Sequence, residues 1–410
     1  LDDAKAFGLR LLELRGWRDL TLREAAGLAG LSFSFWGQVE RGEKVVNSRK
    51  TIEAMAGALR VHPAELTEHP WPPRDETGTE TNASLKAIEI ALEQYRLGAD
   101  PEVTVRPWSR IQPDIDRLVR LHHHVVDYTA SGELTAALIA ELQAAYVRLP
   151  QQRREILLGL IDAHRVAMRI AKDLGDRGLP IVGVHAVQQC AEMLGDTMWL
   201  GCAVVVRGYA TGELDWAAHY RRSVAAAQTL TSLLDSSDAL QACGMLHLSA
   251  AGAASAQADR DTAATHLQEA SALAARMDAE VATWANLFFG STNIGNWRTS
   301  LALKLGEHGQ ALEAAKTVHP ELLPKRRQVQ FWSEVGRALA VEKKTREKAV
   351  RVLVHAEQLG PQMLHRDPLV REVVSGLLRQ ALSEAGRREL RGLAWRMGLA
   401  PARRARTGDR

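Results

Sequence analysis

Apolar residues recur at helical spacing along almost the whole chain, and the strict alternation of a half-buried strand is rare. The clearest local pattern runs from Thr21 to Gly42. Thr21 is placed to cap a short helix, with Glu24 three residues on completing a capping box. Leu22, Ala25, Ala26 and Ala29 then share one face. Gly30 ends the run, Leu31 plugs the turn, and Ser32 is placed to cap a second helix. That second helix buries Phe35 (or Phe33), Trp36 and Val39 and turns Ser34 and Gln38 outward. Helices this short need a partner, and a pair across a glycine turn has the geometry of a helix-turn-helix.

Upstream, Phe7, Leu11 and Leu14 form the stripe of a first helix over about 4–15, long enough to cover the pair. Downstream, Asn47 or Ser48 caps a fourth helix reaching about Leu59, and His62-Pro63 opens a short fifth ending near Leu66. His69 to Asn82, rich in Pro, Thr and acid, reads as a linker. From residue 83 the pattern predicts helix after helix, among them 83–97, 113–129, 133–148, 151–174, 279–289, 326–341 and 345–358. An irregular link over 98–109 interrupts them. The expected division is a head over 1–69, a linker with one helix over 70–112, a helical domain over 113–400 and a basic tail over 401–410. The fold class is all-α.

Short turns between long helices prompt a search for repeats. Four turns look alike, beginning at Thr211, Ala258, Leu305 and Val341, and each leads into a helix with small residues. Ala349, Leu353, Ala356 and Pro361 have the spacing of a tetratricopeptide second helix and its closing proline, and Ala263, Leu267 and Ala270 repeat the first three. Anchor alanines at 217, 264, 311 and 349 recur irregularly, so the prediction is a degenerate tetratricopeptide-like α-solenoid, with an irregular bundle as the alternative.

The head resembles the lambda-repressor-like, or Xre, DNA-binding domains over roughly residues 7–68. The resemblance is carried by Leu14-Arg15, Leu20-Thr21, the turn, Gln38-Val39-Glu40-Arg41-Gly42 and the closing Ile52, Met55, Ala56 and Leu59. It implies five helices and an ion pair between Arg15 and Glu40. It implies that Ser32, Phe33, Ser34 and Gln38 read bases while Thr21, Arg41, Arg49 and Lys50 hold the DNA backbone. Leu22 stands where the family often has Gln, and Phe33 offers a base only apolar contact, such as a thymine methyl. The whole chain resembles actinobacterial Xre-type regulators with tetratricopeptide-like C-terminal domains, through the head together with Phe289-Gly-Ser-Thr-Asn-Ile294, Leu323-Pro-Lys-Arg-Arg327 and Asp367-Pro-Leu-Val-Arg-Glu372. That implies a transcription regulator whose solenoid dimerises, senses a signal, or both.

Composition narrows the function classes. A chain of 410 residues with 46% hydrophobic and 25% charged residues is that of an ordinary globular protein. No apolar run reaches membrane-spanning length, so no membrane partner is expected. Cys190, Cys202 and Cys243 are too scattered for a disulfide framework or a zinc site, which fits a reducing cytoplasm. The isoelectric point near 8.8 says little about DNA. The head carries ten Lys and Arg against ten Asp and Glu, and the excess sits in residues 387–410. More telling is that Arg41, Lys44, Arg49 and Lys50 cluster after the third helix, where phosphates would lie.

His122-His123-His124 reads as solvent-facing, because neighbours on a helix point 100° apart and cannot share a metal. No phosphate loop, zinc-protease motif or nucleophile elbow occurs, so no enzyme activity, metal or cofactor is expected. Trp284, Asn286, Asn293, Asn296, Trp297 and Arg298 crowd one stretch that is poor in helix formers. One reading is a kinked junction with Asn293 and Asn296 as caps. The other is the floor of a ligand groove, with asparagine amides clamping an extended peptide or small molecule. The expected protein is a sequence-specific DNA-binding regulator, a homodimer on a double-stranded operator. The alternative is a scaffold whose solenoid binds a partner protein.

Overall fold

The structure, a computed structural model, describes residues 2–18, 20–46, 49–59, 61, 66, 76–380 and 384–399. Among them there is no strand, only one isolated bridge between Ala282 and Phe289. The all-α expectation holds. The head contains α1 (Asp2–Trp17), α2 (Leu22–Leu28), α3 (Phe33–Glu40) and α4 (Arg49–Leu59). The expected fifth helix falls largely outside the described residues, but Leu66 is buried in the head's core beside Leu11, Leu14, Ala25, Trp36, Val39 and Met55. The basic tail from 401 also lies outside them.

The second body opens with α5 (Glu76–Gln94), α6 (Trp108–Arg120) and a π-helical turn over Leu121–Val125. Then come α7 (Tyr128–Arg148), α8 (Arg153–Asp173), α9 (Leu179–Leu194), α10 (Thr197–Thr211), α11 (Trp216–Thr229), α12 (Ser237–Ala256) and α13 (Arg260–Ala274). After an irregular stretch follow α14 (Ser291–Lys304), α15 (His308–Ala315), α16 (Lys325–Val341), α17 (Arg346–Leu359), α18 (Pro361–Arg366), α19 (Pro368–Leu378) and α20 (Glu384–Arg396). Neighbours in sequence are mostly neighbours in space. The pairs α8–α9, α12–α13, α14–α15 and α16–α17 pack closely, as antiparallel hairpins with short turns do.

One predicted boundary moves. The helix expected inside a linker, α5, packs against α7, and Ile88 and Leu92 are fully buried in the same core as Ile111, Leu142 and Leu160. The segment after it is strapped down by Arg148 on Asp100 and by Arg106 on Glu141. This helix therefore belongs to the helical body.

The repeat register is only partly met. Ala311, Ala349, Leu353 and Ala356 are buried, as expected of packed second helices. Ala217 and Ala264 face solvent, and Ala263 and Ala270 do the packing on α13. Paired alanines such as Ala263-Ala264 look alike in sequence although a 100° rotation separates them.

The array also bends back on itself. α16 packs on the π-helical turn, and Gln362 accepts a hydrogen bond from the Tyr128 N–H at 2.6 Å. Val126, in the left-handed region (φ 65°), ends the π-helical turn, while the Asp127 carboxylate caps α7 by accepting from Ala130. The predicted single helix over 113–129 is therefore broken at 126–127.

The predicted helix over 279–289 does not form either. Ala285, Asn286 and Phe288 have φ of 48°, 52° and 54°, and Phe289 pairs its carbonyl with the Ala282 N–H. Phe289 instead fills a pit on α12, where an added Cβ at Gly244 would lie 2.0 Å from its ring. Because that ring is fully buried, it has no free direction in which to move. Gly244→Ala is therefore expected to cost about 1–3 kcal/mol by overpacking, read as a lower urea midpoint by circular dichroism. An unchanged midpoint would show that α12 tolerates more room there than the structure has.

Candidate DNA-contacting face and a cationic cavity

The head's geometry begins with a buried polar knot. Glu40, the last residue of α3, accepts from Arg15 Nε at 2.6 Å, Arg15 Nη2 at 3.1 Å and Trp36 Nε1 at 2.7 Å. Arg15 also donates to the Leu20 carbonyl at 2.8 Å, so it ties α1, the approach to α2 and the end of α3 together. Its guanidinium is held above its ordinary range, first by the bond to Glu40 and against the opposing effect of burial. The expected ion pair is present, and Trp36 is a third member that the family pattern did not name.

Both caps form as well. Thr21 Oγ1 accepts from the Glu24 N–H and donates to the Glu24 carboxylate, and Ser32 Oγ accepts from the Phe35 N–H. Gly30 and Gly42 take φ of 64° and 68°, closing the turn before α3 and the end after it.

These bonds decide what each predicted contact residue has free. Phe33 is 55% exposed and Ser34 is exposed, both on the first turn of α3, while Gln38 is half-exposed on the next turn. Ser32 keeps its hydroxyl proton for a further acceptor, since its cap bond uses only the oxygen. Thr21 has none to spare, because its hydroxyl is fully engaged by Glu24. Arg41 forms an exposed pair with Glu43 at 2.7 Å, and such a pair gives way at little cost to a phosphate. The helical backbone at Arg49 and Lys50 is described; their side chains lie outside the described residues.

Two cations flank the face in addition. Arg23 lies over the Phe33 ring at 5.9 Å, and Lys44 lies over Phe35 at 4.6 Å. Arg23 could have been found from the sequence, since it falls on the polar side of α2, in its first turn.

The six residues expected to floor a groove do not come together. Asn293 and Asn296 sit inside α14, buried, and neither caps a helix. Asn293 accepts from Arg327 Nη1 at 3.0 Å. Trp297 packs on Gly252 and near Tyr209, Trp284 stacks by Trp199 at 5.1 Å, and exposed Arg298 donates to Ser271. Of the six, Asn286 borders the cavity described next.

That cavity, of about 80 Å³, lies where α16 meets the π-helical turn and α8. Arg165, Arg169, Arg326, Arg327, Asp162 and His123 are among the residues around it. Two of the three histidines expected at the surface are enclosed here. His122 is buried and His123 half-buried, and both are pushed well below the usual imidazole range by burial and then by the arginines. Burial pushes Asp162 up. It also pushes Asp173 up, but Arg326 and Arg169 outweigh it and hold that carboxylate down. The sequence signal for this site was the Arg165, Arg169, Asp173 stripe at four-residue spacing, together with the adjacent Arg326-Arg327. Among the described residues no group of His, Cys, Asp and Glu suits a metal ion, and no helix is long and apolar enough to cross a membrane.

Residues 6–69 match a family model described as a helix-turn-helix domain. The head is a helix-turn-helix. The chain matches no curated protein. Among solved structures it is similar to Bacillus thuringiensis PlcR in complex with the peptide PapR7 and DNA, at 11% identity and TM-score 0.24, covering 87% of this chain and 99% of that one. It is also similar to the apo competence regulator ComR from Streptococcus vestibularis, at 12% identity and TM-score 0.18, covering 86% and 98%. Apo ComR from S. thermophilus gives 15% identity and TM-score 0.19, covering 66% and 94%. Scores this low bear on neither mechanism nor ligand.

Removing the carboxylate at the centre of the knot leaves Arg15 and Trp36 without their acceptor. Glu40→Ala is expected to cost the head about 3 kcal/mol, at the lower end for breaking a buried pair because Arg15 is partly exposed. Hydrogen exchange on the full chain would show peptides from α1–α3 losing protection while α8 and α12 keep theirs. Undiminished protection in the head would show that packing alone fixes α3.

Proposed function

We propose that the protein is a sequence-specific DNA-binding transcription regulator whose helical body carries the regulatory input. The observation behind this reading is the first turn of α3. Phe33 and Ser34 stand exposed with Gln38 one turn on, and the Arg15–Glu40–Trp36 knot fixes the helix that bears them. A helix-turn-helix presents the N-terminal part of its second helix to base edges in the major groove. In that pose Gln38 reaches a base as a paired donor and acceptor, Phe33 covers a thymine methyl, and Ser32 and Ser34 supply hydroxyls. Arg23, Arg41, Lys44, Arg49 and Lys50 surround them with charge for phosphates.

The reading is of a homodimer. One short helix makes too few contacts for tight operator binding, and a two-fold pair doubles them over two half-sites. Signal sensing belongs to the helical body, and the cavity at its closure, rather than the stretch from Trp284 to Arg298, is the better supported place for a small effector. The reading is non-enzymatic.

Selection of random duplexes by the full-length protein tests it. The expected product is a two-fold symmetric site, and recovery of unrelated sequences would refute the proposal. Against the selected site, Gln38→Ala is expected to cost about 1–3 kcal/mol while sparing random DNA. Arg49→Ala and Lys50→Ala should each weaken both kinds of DNA and lower the salt slope by about one. Equal losses on both kinds of DNA for Gln38→Ala would assign it to the backbone.

A further inference from the structure

The cavity at the closure of the helical array has an unbalanced charge. Arg165, Arg169, Arg326 and Arg327 surround it, whereas the nearby carboxylates are Asp162 on its wall and Asp173 behind Arg326 and Arg169. Four guanidiniums face two carboxylates. The two histidines do not change this count, because burial and the arginines keep them neutral. Arg165 pairs with Asp162, Arg326 and Arg169 share the single carboxylate of Asp173, and Arg327 has only the neutral acceptors Asn293 and Leu287, so these guanidiniums outnumber the carboxylates that pair with them by two.

Hydrogen bonding points the same way. Arg326 is only 5% exposed, and while its Nη2 binds Asp173, its Nη1 has no partner. Arg169 Nε likewise makes no hydrogen bond, although Asp173 Oδ1 lies 3.3 Å away as an ion-pair partner. Arg165 donates Nη1 to the Ala285 carbonyl at 2.6 Å and to Asp162 at 3.3 Å, and its side chain lines the cavity. Planar guanidinium forks match the paired oxygens of carboxylate and phosphate groups. A volume of about 80 Å³ is several times the roughly 10–15 Å³ that one water requires. It suits a small oxyanion.

We propose that this cavity binds a small oxyanion carrying two negative charges, a short dicarboxylate or a phosphate, held by Arg165, Arg169 and the free Nη1 of Arg326. The anion balances the guanidinium surplus and gives Arg326 Nη1 an acceptor. A loop is tied to the same arginines. Arg165 holds the carbonyl of Ala285, and Arg327 holds that of Leu287 at 2.9 Å, beside three non-glycine residues at positive φ. Such strained backbone clusters at ligand clamps. As the effector site of a regulator the cavity rests on the function proposed above. The binding test below uses no DNA, so either can fail alone.

The test titrates the full-length protein with inorganic phosphate and with malonate, against acetate and chloride at matched ionic strength, by calorimetry and thermal unfolding. Saturable one-to-one binding of phosphate or malonate is expected, with slowed hydrogen exchange over 282–290. Phosphate alone would mark the ligand as tetrahedral, and malonate alone as a dicarboxylate; both support the site. Arg165→Gln should weaken that binding by about tenfold or more, the worth of one charged hydrogen bond. Lys316→Gln, an exposed cation on α15's end, should leave it unchanged. If Arg169→Gln fails to fold, Arg165→Gln at the half-buried rim still decides. Responses equal to those with acetate or chloride, or binding undiminished in Arg165→Gln, would overturn the proposal, as would no binding of either dianion.

Discussion

The ion pair between Arg326 and Asp173 is what the helical body closes on. It joins residues 153 positions apart, and Tyr128 completes it by donating its hydroxyl to the same carboxylate at 2.7 Å. Burial alone would favour the neutral acid and the neutral base. The mutual attraction outweighs it, so Asp173 stays ionised and the Arg326 charge is held above its ordinary range. An array of helical hairpins has no intrinsic reason to bring its beginning and end together, since each hairpin needs only its neighbours. A buried, hydrogen-bonded charge pair supplies that reason, because either partner left alone would be heavily penalised. The π-helical turn serves the same closure by breaking the helix at Val126 and setting Tyr128 beneath α16.

The head follows the same principle on a smaller scale. Its apolar core of Leu11, Leu14, Ala25, Trp36 and Met55 sets how closely the helices approach. Apolar contacts are not directional, however, and would accept small rotations of α3. Glu40 removes that freedom, since it must meet two nitrogens of Arg15 and the indole of Trp36 at once. Rotational precision matters for a surface of two helical turns, where a few tens of degrees would swing Ser34 and Gln38, which share one face, away from a base edge.

What the sequence made legible divides along the same line between local and distant causes. The caps at Thr21 and Ser32, the turn at Gly30 and the Arg15–Glu40 pair depend on fixed short spacings or a well-marked motif, and each is found as read. The pattern predicts a helix over 279–289 that does not form, because its apolar content belongs to tertiary contacts: Phe289 is fixed by a pit at Gly244, 45 residues away in sequence. His122 and His123 depart from the surface reading for the same reason, since nothing local says that α16 will cover them, whereas His124 is exposed as expected. Asparagines in a stretch poor in helix formers suggested a groove, yet Asn293 is drawn inside by Arg327. The cationic cavity was present in the sequence only as spaced arginines on two helices whose meeting no spacing rule foretells.

A ligand can shift a protein only as far as it contacts two states differently. Of the elements around the cavity, the stretch from Ala285 to Phe288 best meets that condition. Its carbonyls end on two of the cavity's arginines, and its positive φ angles store backbone energy of about 1–3 kcal/mol per residue. α8 and α16, by contrast, are committed on other faces to the core and to the Asp173–Arg326 closure, and could not move without breaking it. The loop also continues directly into Phe289 and α14, and through the Phe289 ring it rests on α12. Any change in how Arg165 and Arg327 divide their donors is therefore felt first by a strained, short-range element and only then by the packed helices. That is the order expected where a small charge imbalance is to be converted into a shape difference without unmaking the fold.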